Sequence, residues 1–131
     1  MYTMKYICDT LHIPYETLRY YCNEGLVPNV KRDQNNYRIF DDKDLNWLTS
    51  LQCLRRCGLS INEIKEYLNL CLEGPASIEI RKKILAVKKE NLLNEIESIQ
   101  ESIAFIDHKQ DFYDGVLAGK VKYTSNLIRI D

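Results

Sequence analysis

The sequence predicts a mainly α-helical protein: a winged helix-turn-helix head with a small β-hairpin wing, followed by a long C-terminal dimerisation helix. Three observations lead there. Two short helical segments meet at His12-Ile13-Pro14, an asparagine-containing turn separates two β-forming stretches, and residues 77–113 contain neither glycine nor proline. The expected divisions are a head over 1–73, a dimerisation helix over 76–114 and a tail over 115–131.

Each element has a local cause. Thr3 can cap a helix over 4–11, which His12-Ile13-Pro14 must end or bend because proline cannot continue the backbone ladder. A second helix over 15–24 stops at Gly25, a residue suited to the left-handed position after a helix. Two helices joined by so tight a turn make a helix-turn-helix unit. Val30-Lys31-Arg32, Asp33-Gln34-Asn35-Asn36 and Tyr37-Arg38-Ile39-Phe40 follow. Asparagine tolerates positive φ and closes hairpins, and the flanks carry β-forming side chains, so this stretch reads as a β-wing with a basic rim.

A third helix starts at Asp41 or Asp42, its carboxylates at the positive end of the dipole, and runs to about Arg56 before Gly58. Ser60-Ile61-Asn62-Glu63 is a capping box that opens a fourth helix, through about Leu72, and Glu73-Gly74-Pro75 breaks the chain. The uninterrupted stretch from Ser77 to Tyr113 is on the order of 50 Å long as a helix. Leu92, Ile96, Ile99, Ile103 and Ile106 recur at coiled-coil spacing, Tyr113 continues the seam, and Asp114-Gly115 is expected to end the helix. Such a stripe can pack on its own domain. A helix this long exceeds what the head can cover, so self-association is the simpler partner, parallel or antiparallel.

Composition narrows the class. A chain with 45% hydrophobic and 28% charged residues is an ordinary globular sequence. No apolar run reaches the roughly 20 residues of a membrane span, and the N-terminus lacks a signal-peptide core, so a cytoplasmic protein with no membrane partner is expected. Five cysteines, Cys8, Cys22, Cys53, Cys57 and Cys71, form no CxxC pair; in a reducing compartment they are expected mostly to pack as small hydrophobes. The formal net charge is −1, so affinity for phosphate must come from the placement of a few basic groups.

The groups suited to that task cluster in the head. Thr17-Leu18-Arg19-Tyr20-Tyr21 lies on the second helix, where arginine can bridge phosphates or pair with a guanine edge and tyrosine can bond phosphate. Leu18 and Tyr21 should face the core. Singly, such residues are ordinary amphipathic surface. Joined to Lys31, Arg32, Tyr37 and Arg38 in one hairpin, they suggest a DNA-reading head.

Thr17-Leu18-Arg19-Tyr20-Tyr21, Glu24-Gly25-Leu26, Asn36-Tyr37-Arg38 and Gly58-Leu59-Ser60, in that order, resemble the MerR family of bacterial transcription regulators over roughly residues 2–72. The resemblance implies a homodimer, paired through an antiparallel coiled coil. It would bind double-stranded promoter DNA and distort it, so that RNA polymerase, acted on indirectly, can use an over-long spacer. It also implies DNA contacts from Tyr15, Thr17, Arg19 and Tyr20 on the helix, from Arg32, Tyr37 and Arg38 on the wing, and from Arg55 or Arg56 beyond it. His12 and Asn36 depart from the family, which often has glycine there, and Cys22 stands where it often has an acidic residue. Asparagine can replace glycine at positive φ at modest cost, so the fold is expected to survive.

Metal sensors of that family place cysteines at and beyond the start of the long helix. This chain has none after Cys71, and His108 alone cannot make a site; no metal and no cofactor are expected. Asp44-Leu45-Asn46-Trp47-Leu48, Cys53-Leu54-Arg55, Leu72-Glu73-Gly74 and Tyr113-Asp114-Gly115 are similar to a short branch that answers aldehydes and other thiol-reactive electrophiles, whose characteristic cysteine falls on Cys53. Arg56 and Cys57 follow three and four residues later, near one helical face. A guanidinium beside a thiol favours the reactive thiolate. Cys53 is the sensor candidate, set against a purely structural cysteine in a regulator that answers a small ligand. A disulfide within the helix, to Cys57, fits side-chain directions poorly.

Two other classes compete: a protein-interaction adaptor built on the coiled coil, and a cysteine enzyme. The enzyme needs a base near its nucleophile, and neither His12 nor His108 is placed near Cys53 by the sequence. No catalytic residue is assigned.

Overall fold

A computed structural model describes residues 1–131. In chain order it contains β1 (Tyr2–Thr3), α1 (Met4–Leu11), α2 (Tyr15–Asn23), β2 (Lys31–Arg32), β3 (Arg38–Phe40), α3 (Asp42–Arg56), α4 (Ile61–Leu72), a 3-10 turn (Gly74–Ser77) and α5 (Ile78–Leu117). The chain forms two compact units, Met1–Lys89 and Glu90–Asp131.

In the N-terminal unit, Thr3 caps α1 by accepting from the Tyr6 amide at 3.1 Å. His12 then turns the chain at φ 54°, and Pro14 leads into α2. After α2, Gly25 takes φ 75° and the Leu26 amide donates back to the Tyr21 carbonyl at 2.9 Å. In the wing, Asp33 Oδ1 accepts from the amides of Asn35 at 2.8 Å and Tyr37 at 2.9 Å, while Asn36 adopts φ 65°. The two non-glycine residues at positive φ are therefore His12 and Asn36, the positions where the resembled family often has glycine.

The wing is more than a hairpin. β1 adds a third antiparallel strand, in the order β1-β3-β2, with Tyr2 opposite Phe40 and Arg32 opposite Arg38. α3 opens on a reciprocal cap, Asp41 accepting from the Asp44 amide at 2.8 Å and Asp44 from the Asp41 amide at 2.9 Å. Ser60 and Glu63 repeat the device at α4. Ile7, Leu18, Leu26, Phe40, Leu48, Leu51, Leu59 and Ile64 are fully buried and knit α1, α2, β3, α3 and α4 together. Each such side chain contributes about 1.5–3 kcal/mol by burial, which fixes α2 on α1 and α1 on the wing.

α5 is one helix of 40 residues, about 60 Å long, and none of its residues is buried. Ile96, Ile99, Ile103 and Ile106 are each more than half exposed, and Leu92 is half-buried. The expected stop at Asp114-Gly115 is corrected: α5 continues through both residues to Leu117, and the chain turns at Gly119, φ 74°. Within the C-terminal unit the amides of Lys120 and Val121 donate to the Gly115 carbonyl at 2.9 and 3.1 Å. A Cβ on Gly115 would lie 2.7 Å from Val121 Cγ2. This glycine is there for the close approach of the returning chain, so it does not break the helix. Phe112 and Tyr123 stack at 6.3 Å across the same fold-back.

Candidate nucleic-acid interface

α2 turns Leu18 and Tyr21 inward and leaves Tyr15, Arg19 and Tyr20 exposed, with Thr17 half-buried. The spacing does this, because residues three apart share a helix face. Arg19 meets Glu16 only at 3.9 Å, with both side chains largely exposed, a pairing too weak to neutralise it.

The wing arginines are held by neutral oxygens. Arg32 Nη1 donates to the Asn36 carbonyl at 2.9 Å, and Arg38 Nη2 to Asn23 Oδ1 at 2.6 Å. Both guanidinium groups are thus oriented without a carboxylate partner. Tyr37 projects from the turn, 70% exposed. The contrast with other cations is direct: Lys31 is paired with Asp41 at 3.2 Å, Lys65 with Glu24 at 2.7 Å and Lys88 with Glu63 at 2.8 Å. Within the wing itself Lys31 is paired, whereas Arg32 and Arg38 have no carboxylate partner, and the Asp33 carboxylate lines the same surface.

Tyr15, Arg32, Tyr37 and Arg38 line one open concavity of about 380 Å³ between α2, the wing and the start of α1. Lys5 lines it too and carries no carboxylate partner. Sequence reasoning missed Lys5, because a single lysine in a first turn has no signature. The β1–β3 pairing is what carries it to the wing. Asn23, which orients Arg38, was missed for the same reason. Thr17, Arg19, Tyr20, Arg55 and Arg56 do not line this concavity. Arg55 Nη1 donates to the Leu59 carbonyl at 2.8 Å and fastens the α3–α4 turn, while Arg56 Nη2 lies 3.2 Å from Cys53 Sγ.

All five cysteines are free thiols. None is fully buried: four are half-buried and Cys53 is exposed, while Cys8, Cys22 and Cys57 pack against the core as small hydrophobes do. Burial pushes the thiols of Cys8 and Cys22 up from their ordinary value. Cys57 is the C-terminal cap of α3 and packs against the core.

Residues 2–71 match the family model described as MerR HTH family regulatory protein. The chain is 36% identical over 122 residues to an uncharacterised HTH-type transcriptional regulator of Haemophilus influenzae, covering 92% of this chain and 90% of that one. It is 43% identical over 77 residues to the HTH-type transcriptional regulator AdhR of Bacillus subtilis, 59% of this chain and 55% of AdhR. Among solved structures it is similar to HiNmlR, a MerR family regulator lacking the sensor domain and bound to promoter DNA. There the TM-score is 0.75, with 35% identity and coverage of 89% and 93%. A MerR family transcriptional regulator from Listeria monocytogenes gives TM-score 0.79, 33% identity and coverage of 91% and 90%.

Proposed function

The chain belongs to the MerR HTH family of regulatory proteins, and from that premise we propose a homodimer that grips a dyad-symmetric promoter element through α2 and the wing of each subunit. That it is a DNA-binding transcriptional regulator follows from the family and from its relatives. The observation that carries the finer reading is the concavity where Arg32 and Arg38 are oriented by neutral acceptors beside Tyr15 and Tyr37. In this reading Tyr15, Thr17, Arg19 and Tyr20 meet the DNA from α2, Arg32, Tyr37 and Arg38 from the wing, and Arg55 or Arg56 from the end of α3. Residues 1–73 act as the DNA-binding head. Leu92, Ile96, Ile99, Ile103 and Ile106 form the seam with a second copy, antiparallel, and most of that stripe is exposed in the single chain. The dimer distorts the promoter, and RNA polymerase responds to the altered DNA.

Cys53 is the sensor thiol in this reading. It is exposed, and its sulfur accepts from Arg56, so the thiol is both reachable by an electrophile and held in place. Its place in α3 lets an adduct act on the helix that follows the wing. A second reading, a small ligand with Cys53 only structural, has one observation in its favour: a polar hollow of about 420 Å³ in the C-terminal unit, lined by residues including Lys109, Tyr113 and Tyr123.

The binding claim is tested by fluorescence anisotropy with the protein's own promoter region and a scrambled duplex across a salt series. Preference for the dyad fragment, weakening steeply with salt, supports it. Equal affinity for both duplexes, or no binding at low salt, refutes it.

A further inference from the structure

A second nucleophile stands in the N-terminal unit where the DNA-reading surface makes no use of it. An open cleft of about 410 Å³ is bounded by Trp47, Cys53 and Leu54 of α3, Tyr67 and Cys71 of α4, and Leu85 of α5. The cleft is mostly apolar, holds two thiols and has a volume usual for small-ligand sites. Each sulfur faces an arginine: Arg56 Nη2 is 3.2 Å from Cys53 Sγ, and Arg81 Nη1 is 3.8 Å from Cys71 Sγ.

We propose that this cleft captures α,β-unsaturated carbonyl compounds with an apolar body, and that Cys71 is a second reacting thiol beside Cys53. The proposal rests on the electrophile-sensing reading above and extends it to a new residue and a narrower ligand class. The apolar side chains hold the hydrocarbon body of the ligand. A thiolate attacks the β-carbon, forming a carbon–sulfur bond as the C=C π bond breaks. The electron pair moves to the carbonyl oxygen as an enolate, which takes a proton from water. The thiol's own proton has gone to solvent, so S–H has added across the double bond and no oxidant is needed. Burial raises the Tyr67 phenol above its ordinary value, so Tyr67 stays a hydrogen-bond donor for the carbonyl oxygen.

Cys71 also sits where modification has a mechanical consequence. Arg81 reaches from α5 to the Gly74 carbonyl at 2.7 Å and to Ser77 Oγ at 3.0 Å. Ser77 is buried, and its hydroxyl donates to the Leu70 carbonyl. An adduct on Cys71 crowds Arg81 and loosens the turn that passes α4 into α5.

The test is peptide-level mass spectrometry of the full chain treated with trans-2-octenal or with acrolein, on wild type, Cys53→Ser, Cys71→Ser and Tyr67→Phe, each checked for an unchanged melting temperature. Cys71 is expected to label about tenfold faster than Cys8 and Cys22, whose thiolates burial disfavours. Normalised to each compound's rate with glutathione, octenal is expected to lead acrolein at Cys71 by about tenfold, because only octenal fills the apolar lining. Tyr67→Phe should slow the addition and leave the melting temperature alone. Labelling of Cys53 without Cys71, or no preference for the larger aldehyde, overturns the proposal and leaves the Cys53 reading standing. Labelling of Cys71 with Cys53 inert overturns the two-thiol proposal and removes Cys53 as the sensor.

Discussion

Replacing Arg38 by alanine tests the interface at its best-defined point. Asn23 holds the guanidinium at 2.6 Å, the side chain lines the concavity beside Tyr15 and Tyr37, and no carboxylate neutralises it. If each Arg38 of a dimer contacts one phosphate, the variant loses two contacts. Each contributes about 0.9 to the slope of log affinity against log salt, so the slope should shrink by about 1.8. A hydrogen bond to a charged group contributes about 1.5–3 kcal/mol, which makes the loss about 3–6 kcal/mol per dimer, or roughly two to four decades in Kd. Arg38 is only half-buried and its partner is a surface asparagine, so the melting temperature should move little. The assay is anisotropy across a salt series with wild type and Arg38→Ala in parallel. An unchanged slope with intact folding would show that Arg38 does not touch phosphate, and its place in the proposed surface would be wrong.

Other consequences are open to direct measurement. Ile99→Glu places a charge in the proposed seam, where an unpaired ion is strongly unfavourable; sedimentation should show monomers and DNA affinity should fall at least about a hundredfold, whereas a persistent dimer refutes the seam. His12→Gly removes a side chain from the left-handed region, relieving about 1–2 kcal/mol against about 0.5–1 kcal/mol of added chain entropy. Urea melts should therefore show a gain of about 0.5 kcal/mol, and a clear loss would mean that the exposed imidazole matters. The acid limb of stability tests Asp41, whose carboxyl is held below its ordinary value by the Asp44 amide and by Lys31. A lowered folded-state value means stability present above about pH 4 and lost as pH falls further. Asp44, pushed up by burial, works in the opposite sense. Asp41→Asn should flatten the acid limb, and an unaltered limb would assign acid unfolding to other carboxylates.

What could be read from residues alone follows local chemistry. Caps, turn residues and helical spacing act over a few positions, so α2, the Ser60–Glu63 box and the asparagine turn were legible. The reciprocal cap of α3 escaped because its partner is Asp44, where such boxes usually carry Glu or Gln. β1 was invisible: two residues have no periodicity, and their partners lie near position 40. Lys5 and Cys71 were lost with the tertiary structure, one carried to the wing by β1 and the other to a cleft shared by three helices. At Gly115 a usual stop signal misled, because the glycine makes room for Val121 while keeping helical geometry.

The most direct test of the account is transcription from the protein's own promoter region with wild type and Cys53→Ser, each with and without formaldehyde, methylglyoxal and a thiol oxidant. The account predicts induction in wild type and none in the variant, with promoter binding retained by both. An equal response from both proteins, or from neither, would contradict thiol sensing and leave a DNA-binding regulator whose signal enters elsewhere.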